Sequence, residues 1–199
     1  VRLPGFSDST GKWYQDISAI STDTGATLWV ALALISLHER TSETKYLEGA
    51  IGLANWIELN TRNPYGPGYM GGERGFDGQA EKLTYLSTEH NLDAVAVFTR
   101  LGELTNDPIW NERANQARSF MDIVWNSMDS YFYTGTTDQY GTINYQRPLD
   151  VNTWAILLDP VNYGASIDFI ENTFWVMDGE FEGYRYTDND LGEIGRAHV

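Results

Sequence analysis

The segment TGATLWVALALISLH, residues 24–38, decides the fold class of this chain. Eight consecutive residues in its centre, 28–35, are apolar, so a helix formed here has almost no polar face. A helix that is apolar all round is normally surrounded by other elements of the protein. We therefore predict an inner helix that is packed on all sides.

The next segment, residues 44–60, has the pattern of a different kind of helix. Its apolar residues at positions 46, 47, 50, 51, 53, 54 and 57 form one stripe, and the charged residues lie mostly off that stripe. This spacing is typical of an amphipathic helix with one buried face. The two segments together predict a hairpin made of an inner helix and an outer helix.

The same pair of patterns recurs twice further along the chain. A second inner helix is predicted near Glu89, and Asp107-Pro108 opens its outer partner, with aspartate as the N-cap and proline at the first helical position. A third inner helix begins near Asp150. Asp159-Pro160 opens another outer helix, which we expect to continue through residue 170.

Trp29, Asp93 and Trp154 occupy matching places in the three inner helices, which gives repeat lengths of 64 and 61 residues. Hairpins that stack on their neighbours build solenoids and closed toroids. The additional length of each repeat lies in excursions rich in glycine and aromatic residues, at 63–85, 129–148 and 178–190. Runs at 131–133 and 181–186 within them predict short β-hairpin strands. Long loops that recur are seldom simple connectors, so the end where the inner helices begin is the predicted working face.

A seven-residue motif at the start of the second inner helix carries a family resemblance. It reads Ser87-Thr88-Glu89-His90-Asn91-Leu92-Asp93, and Thr134-Gly135-Thr136 and Leu149-Asp150-Val151 follow it. On these motifs the chain resembles bacterial proteins of the six-hairpin glycosidase type, over most of residues 20–186. The resemblance implies an all-α fold of repeated hairpins that forms part of an (α/α)6 toroid, with long loops and short β-hairpins at one end. It also implies a cleft that binds carbohydrate chains at the N-terminal ends of the inner helices.

The two ends of the chain shape the predicted domain boundaries. The chain begins with Val1, and its last seven residues, EIGRAHV at 193–199, match the conceptual translation of a common sequencing adapter. We interpret them as read-through on a metagenomic fragment and exclude them from the fold. We therefore expect one partial toroid domain of about three hairpins over residues 1–192, in a natural chain that continues further.

Composition excludes several classes of protein. The formal net charge is −15, with 28 acidic and 13 basic residues, and so acidic a surface repels the phosphates of nucleic acids. The absence of cysteine excludes disulfides and thiolate chemistry, and with so few histidines we expect no metal and no cofactor. The longest apolar run, residues 28–35, is too short to span a membrane. Localisation and oligomeric state stay open.

Acidic residues on the working face are the candidates for catalysis. Glycoside cleavage needs two carboxylates, one that protonates the leaving oxygen and one that activates water or attacks the sugar. Glu89 opens an inner helix, Asp93 follows one turn later on the same side, and Asp150 opens the next inner helix. Neighbouring helices lie about 10 Å apart, which is near the upper range for an inverting pair. We predict Glu89, Asp93 and Asp150 as catalytic residues.

Structural roles compete with this hypothesis. Asp23, which we place at the equivalent point of the first repeat, and Asp150 both sit where helix-capping acids are expected, and capping is the favoured interpretation of both. For Glu89 the two interpretations are even. Asp93 occupies a position that should be buried, where a carboxylate is costly unless it is paired or functional. A structural pair with His90 or Asn152 is the alternative.

The remaining candidates are predicted to bind an oligo- or polysaccharide: His90, Asn91, Tyr85, Asn152, Trp154 and Asp23. The leading hypothesis is a glycoside hydrolase. A sugar epimerase or a polysaccharide lyase on the same scaffold is the alternative, although a lyase that acts on uronates needs basic residues, and the loops offer only Lys82, Arg74 and Arg147. A non-catalytic helical-repeat binding protein is the third hypothesis.

Overall fold

The structure is a computed structural model that describes residues 4–7, 9–15, 21–75 and 80–188. The segment that resembles an adapter translation lies outside these residues. Seven helices are described: α1 (Thr24–Thr41), α2 (Thr44–Thr61), α3 (Thr88–Thr105), α4 (Pro108–Val124), α5 (Leu149–Leu158), α6 (Pro160–Tyr163) and α7 (Ser166–Phe174). They pack as three hairpins, α1 with α2, α3 with α4, and α5 with α6 and α7, and α3 lies between α1 and α5.

The predicted repeat is confirmed by the starts of the inner helices. α1, α3 and α5 begin at residues 24, 88 and 149, so Trp29, Asp93 and Trp154 are each the sixth residue of their helix. Both Asp-Pro helix starts are also confirmed. The side chain of Asp107 accepts a hydrogen bond of 3.0 Å from the amide of Ile109, and that of Asp159 accepts one of 3.1 Å from Asn162.

The described strands are short and pair antiparallel. They are β1 (Pro4–Ser7), β2 (Lys12–Gln15), β3 (Ser21–Asp23), β4 (Gly72–Arg74), β5 (Glu81–Leu83), β6 (Leu86–Ser87), β7 (Trp125–Asn126), β8 (Tyr131–Phe132), β9 (Gly135–Thr136), β10 (Ile143–Asn144), β11 (Trp175–Asp178) and β12 (Phe181–Tyr184). The sheets are β1–β2, β3–β4–β5, β10–β9–β6, β7–β8 and β11–β12. Strands β3 and β6 lead directly into α1 and α3. The strands predicted at 131–133 and 181–186 are confirmed by β8 and β12.

One glycine explains how an excursion reaches the helix it precedes. Gly135 in β9 has φ 143°, and a Cβ at this position would collide with the carbonyl oxygen of Leu86 in β6. A side chain here would therefore separate the two strands. This pairing holds the second excursion against the residues that lead into α3.

The core consists of two adjoining clusters. The first lies between α1, α2, α3 and α4 and includes Tyr69 and Phe98, and the second lies between α3, α4 and α5 and includes Phe120 and Phe132. No helix in the described part of the chain is long and apolar enough to cross a membrane.

Two predictions about the helices are wrong. α1 is not packed on all sides: Trp29 and Val30 are 51% and 53% exposed, because the helix neighbours of α1 are α2 and α3. The third outer helix is not continuous but is broken into α6 and α7 at Gly164. There the amide of Ile167 bonds to the carbonyl of Gly164, three residues back, so the regular α-helical ladder is interrupted.

Candidate active site

Two asparagines bind the first and second excursions to the inner helices that follow them. Asn91 is the fourth residue of α3; its Oδ1 accepts from the amide of Tyr69 (2.9 Å), and its Nδ2 donates to the carbonyls of Tyr69 (3.0 Å) and Ser87 (2.8 Å). Asn152 is the fourth residue of α5 and makes the same three bonds, to Phe132 (2.7 and 3.4 Å) and to Pro148 (2.8 Å). The working face is therefore built on a repeated backbone clamp.

Asn91 and Asn152 were predicted to contact the sugar, but in the structure both are buried and bind the backbone instead. Asn91 and Asn152 have no exposed surface, and their amide groups are occupied by the backbone. A buried amide with its hydrogen bonds satisfied has little left to offer a ligand. We therefore leave both asparagines out of the sugar-contacting set.

Asp23 is the N-cap of α1, as the capping interpretation expected. Its Oδ1 accepts from the amides of Gly25 (2.9 Å) and Ala26 (3.2 Å). The expectation that it stands at the point equivalent to Glu89 is wrong. Glu89 is the second residue of its helix, and the second residue of α1 is Gly25. Asp23 instead occupies the cap position that Ser87 fills before α3.

The same carboxylate oxygen of Asp23 lies 3.3 Å from Nε2 of His90, across the α1–α3 boundary. A Cβ added to Gly25 would stand 2.5 Å from Cδ2 of His90, so the imidazole can occupy this place only because residue 25 is glycine. Burial lowers the pKa of His90 more than Asp23 raises it, which favours the neutral ring. Its Nδ1 is buried and has no hydrogen-bond partner among the described residues.

Tyr85 lies beside this pair. Its ring sits directly over Gly71, where a Cβ would approach Cζ to 2.5 Å, and its centroid is 6.3 Å from that of His90. Burial raises the pKa of the Tyr85 hydroxyl, and the charges of Asp23 and Glu89 raise it further against the effect of Arg74. The phenol therefore lies in the electrostatic field of two carboxylates from different hairpins.

Glu89 and Asp150 are the second residues of α3 and α5. Burial raises the pKa of Glu89 first, and the charges of Asp150 and Asp23 raise it further. The pKa of one side chain on α3 thus responds to acids at the starts of α1 and α5. The favoured interpretation of Asp150 as a helix cap is wrong: the N-cap of α5 is Pro148, and Asp150 is an acid of the first turn whose Oδ1 accepts from the amide of Val151 at 2.8 Å.

Asp93 is the buried acid that its position predicted. It is 6% exposed, and its Oδ2 is buried without a hydrogen-bond partner in the part of the chain that the structure describes. Burial, followed by the charge of Glu89, raises its pKa to about 7. The alternative pairs with His90 and Asn152 are not formed, because His90 contacts Asp23 and Asn152 bonds to the backbone.

Two tryptophans occupy the turn that Asp93 occupies in α3. Trp29 of α1 and Trp154 of α5 meet edge to face, with ring centroids 5.6 Å apart. Trp154 was predicted as a sugar contact, whereas Trp29 was treated as a core residue. The matching places of the two tryptophans in the repeat could have identified Trp29 as a second candidate sugar contact. Trp29 is 51% exposed and Trp154 is half-buried, and aromatic rings with such access can stack against the apolar face of a sugar.

Neither a protein-family model nor a curated protein sequence matches the chain. Solved structures do. A family 76 glycoside hydrolase (mannosidase) from Bacteroides thetaiotaomicron has a TM-score of 0.63 and 15% identity over 83% of this chain and 50% of that one. Cellobiose 2-epimerase from Spirochaeta thermophila has a TM-score of 0.62 and 10% identity over 80% and 45%. A D-mannose isomerase has a TM-score of 0.61 and 12% identity over 83% and 46%.

These proteins are (α/α)6 toroids, and this chain has the six-hairpin glycosidase-like fold over the part that it covers. The predicted fold class is confirmed. The chain spans about half the length of the structures it matches. At identities this low the likeness concerns the fold, so activity is argued from the site.

Proposed function

We propose that this chain belongs to a carbohydrate-active enzyme, specifically a glycoside hydrolase that uses paired carboxylates at the starts of its inner helices. One observation carries the proposal: Asp93 is buried, its Oδ2 has no hydrogen-bond partner among the described residues, and burial and the charge of Glu89 raise its pKa to about 7. A carboxyl group in such a position costs stability, and costly acids gather at functional sites.

The roles follow from the electrostatics. Glu89 has a raised pKa, so it holds a proton more readily than an ordinary glutamate and suits the general acid that protonates the glycosidic oxygen. As the bond to the leaving sugar breaks, Asp150 takes a proton from the water whose oxygen attacks the anomeric carbon. The charges of Asp150 and Asp23 favour the protonated form of Glu89. Asp93 supports the site from the next turn of α3. Trp29 and Trp154 supply the stacking surface.

An epimerase or isomerase is the second candidate, because of His90. A neutral imidazole with an unpartnered Nδ1 is a possible base for removing a proton from a sugar carbon. Two of the similar structures are an epimerase and an isomerase. A lyase acting on uronates has less support, because Lys82 is paired with Glu73 and Arg147 with Asp188.

The test is product analysis with the protein that carries this chain. Neutral oligosaccharides are incubated in H₂¹⁸O and in D₂O and examined by mass spectrometry. A hydrolase places one ¹⁸O in a new reducing end, whereas an epimerase leaves chain length unchanged and introduces deuterium on carbon.

The matched variants are Glu89→Gln and, as a control, Glu48→Gln on the exposed face of α2. We expect Glu89→Gln to lower turnover by about 100-fold to 10,000-fold with the melting temperature maintained, and Glu48→Gln to leave turnover unchanged. Undiminished cleavage by Glu89→Gln would remove Glu89 from the mechanism. Carbon deuteration without cleavage would favour the second candidate.

A further inference from the structure

The carboxylates of the site form an acid cluster, defined here as Asp23, Glu89, Asp93 and Asp150. In the described part of the chain, no lysine or arginine lies within ion-pair distance of Asp23, Glu89 or Asp93; the ion-pair partner of Asp23 is His90, and burial favours the neutral form of that ring. These three acids come from two successive hairpins, and the charge of Asp150 on the third hairpin acts on Glu89.

The cations of the surrounding loops do little to balance this cluster. Lys82 is held by Glu73, and Arg147 is held by Asp188. Arg74 is the exception, since its charge lowers the pKa of Tyr85. The charge of this one arginine is opposed by several carboxylates, so the potential at the acid cluster is negative.

Two buried polar atoms at this site indicate which hydrogen-bonding groups a ligand could supply. Oδ2 of Asp93 and Nδ1 of His90 are buried and have no partner among the described residues. Asp93 is more than nine-tenths buried. The bare nitrogen of a neutral imidazole accepts a hydrogen bond, and the carboxyl of Asp93, with a pKa of about 7, accepts when ionised and donates when protonated. A sugar hydroxyl group can serve as the partner of both atoms, whereas an ionised carboxylate cannot donate to His90 and is repelled by ionised Asp93.

From this combination we propose that the cleft selects sugar units without a carboxylate and excludes uronic acids. The inference rests on the proposed function, because it names the substrate class of the same site. A sugar carboxylate brought to about 6 Å from one ionised acid of the cluster, at an effective dielectric constant of about 20, is repelled enough to weaken binding roughly a hundredfold. Uronates should therefore bind at least tenfold more weakly than matched neutral sugars, after allowance for screening by salt.

The experiment compares matched trisaccharides that differ only at C6, a hydroxymethyl group in one and a carboxylate in the other. Gluco, manno and galacto pairs are titrated into the chain at pH 7 and low salt, and binding is measured by calorimetry and by NMR. We expect the neutral member of at least one pair to bind, with its uronate at least tenfold weaker.

Two double variants test whether the acid cluster is the cause. Glu89→Gln with Asp150→Asn should narrow the difference between neutral sugar and uronate several-fold. The control, Glu48→Gln with Glu103→Gln, removes two exposed surface charges and should leave the difference unchanged. It also tests whether the overall charge of −15 is responsible.

The outcomes separate this inference from the proposed function. Equal or tighter binding of uronates overturns the inference and leaves a sugar-binding site in place. Discrimination that the Glu89 and Asp150 double variant does not reduce, or that the control variant abolishes, also overturns it, because the cluster is then not the cause. If no member of any pair binds, the proposed function itself fails.

Discussion

Replacing Asp93 by asparagine should stabilise the folded chain at alkaline pH. The folded chain holds the Asp93 proton more tightly than the unfolded chain does, because burial and Glu89 disfavour the ionised form. Wherever the folded state binds more protons, the free energy of unfolding falls as pH rises. The wild-type chain therefore loses stability between about pH 4 and pH 7 on account of this one group, and asparagine, which does not ionise, avoids the loss.

The magnitude follows from the shift in pKa. An increase from 3.8 to about 7 corresponds to an upper limit of about 4 kcal/mol at pH 8. The asparagine amide would be buried without a partner, which costs about 1–3 kcal/mol. The net expectation is that Asp93→Asn is about 1–3 kcal/mol more stable than wild type at pH 8, and equal or less stable near pH 4.

Urea denaturation followed by circular dichroism between pH 4.5 and 8 measures this difference directly. Asp168→Asn makes the same chemical change at an exposed position in the first turn of α7 and serves as the control for removal of one carboxylate charge. If the difference between Asp93→Asn and wild type is constant across this range, Asp93 does not titrate as a buried acid, and the reasoning is refuted. Loss of turnover in the same stabilised variant would identify a residue kept for function rather than for folding.

Two further changes test the construction of the site. Gly25→Ala should displace the His90 ring, shift its NMR signals and lower the free energy of unfolding by about 1–3 kcal/mol. The control is Gly52→Ala, where a Cβ meets nothing within 4 Å, and it should stabilise α2 by about 0.5–1 kcal/mol. Unchanged His90 signals in Gly25→Ala would contradict the close contact. Asn91→Ala and Asn152→Ala should each leave a buried backbone amide and carbonyl unpaired and cost roughly 2–5 kcal/mol in urea denaturation; a cost well below 1 kcal/mol would show that the clamp is not needed.

Most of the helical architecture could be predicted from local signals. Apolar periodicity located the inner and outer helices, and the caps at Asp107 and Asp159 marked two helix starts, because a side chain that bonds to a free amide is a short-range device. The repeat lengths followed from Trp29, Asp93 and Trp154, since equivalent residues recur wherever equivalent hairpins stack.

What escaped prediction depends on contacts between segments distant in the sequence. The role of Asn91 and Asn152 is set by backbone groups that lie twenty or more residues earlier in the chain. The matching places of the two asparagines in the repeat were nevertheless a usable signal of a structural role. The apolar pattern of α1 did not show which side of the helix is open, because such a pattern records what a helix can bury and not which neighbours are present.

The burial of Asp93 was predicted correctly, because its position in the repeat was enough to decide it. Asp93 was expected to be buried and costly, and it is. Asp23 was placed two positions too far along the repeat, because an acid that caps a helix and an acid in its first turn have the same appearance in sequence. The contact between Asp23 and His90 depends on Gly25, because a side chain at position 25 of α1 would occupy the place of the His90 ring of α3.

The position of a bound neutral trisaccharide, determined in a crystal of the chain, tests the central claim most directly. That claim is that the starts of the three inner helices form one sugar site. The expected result is a sugar ring against Trp29 and Trp154, with a hydroxyl group within hydrogen-bond distance of Glu89 or Asp93. A trisaccharide bound at the outer groove beside Asn55 and Arg113, with the acid cluster untouched, would contradict it.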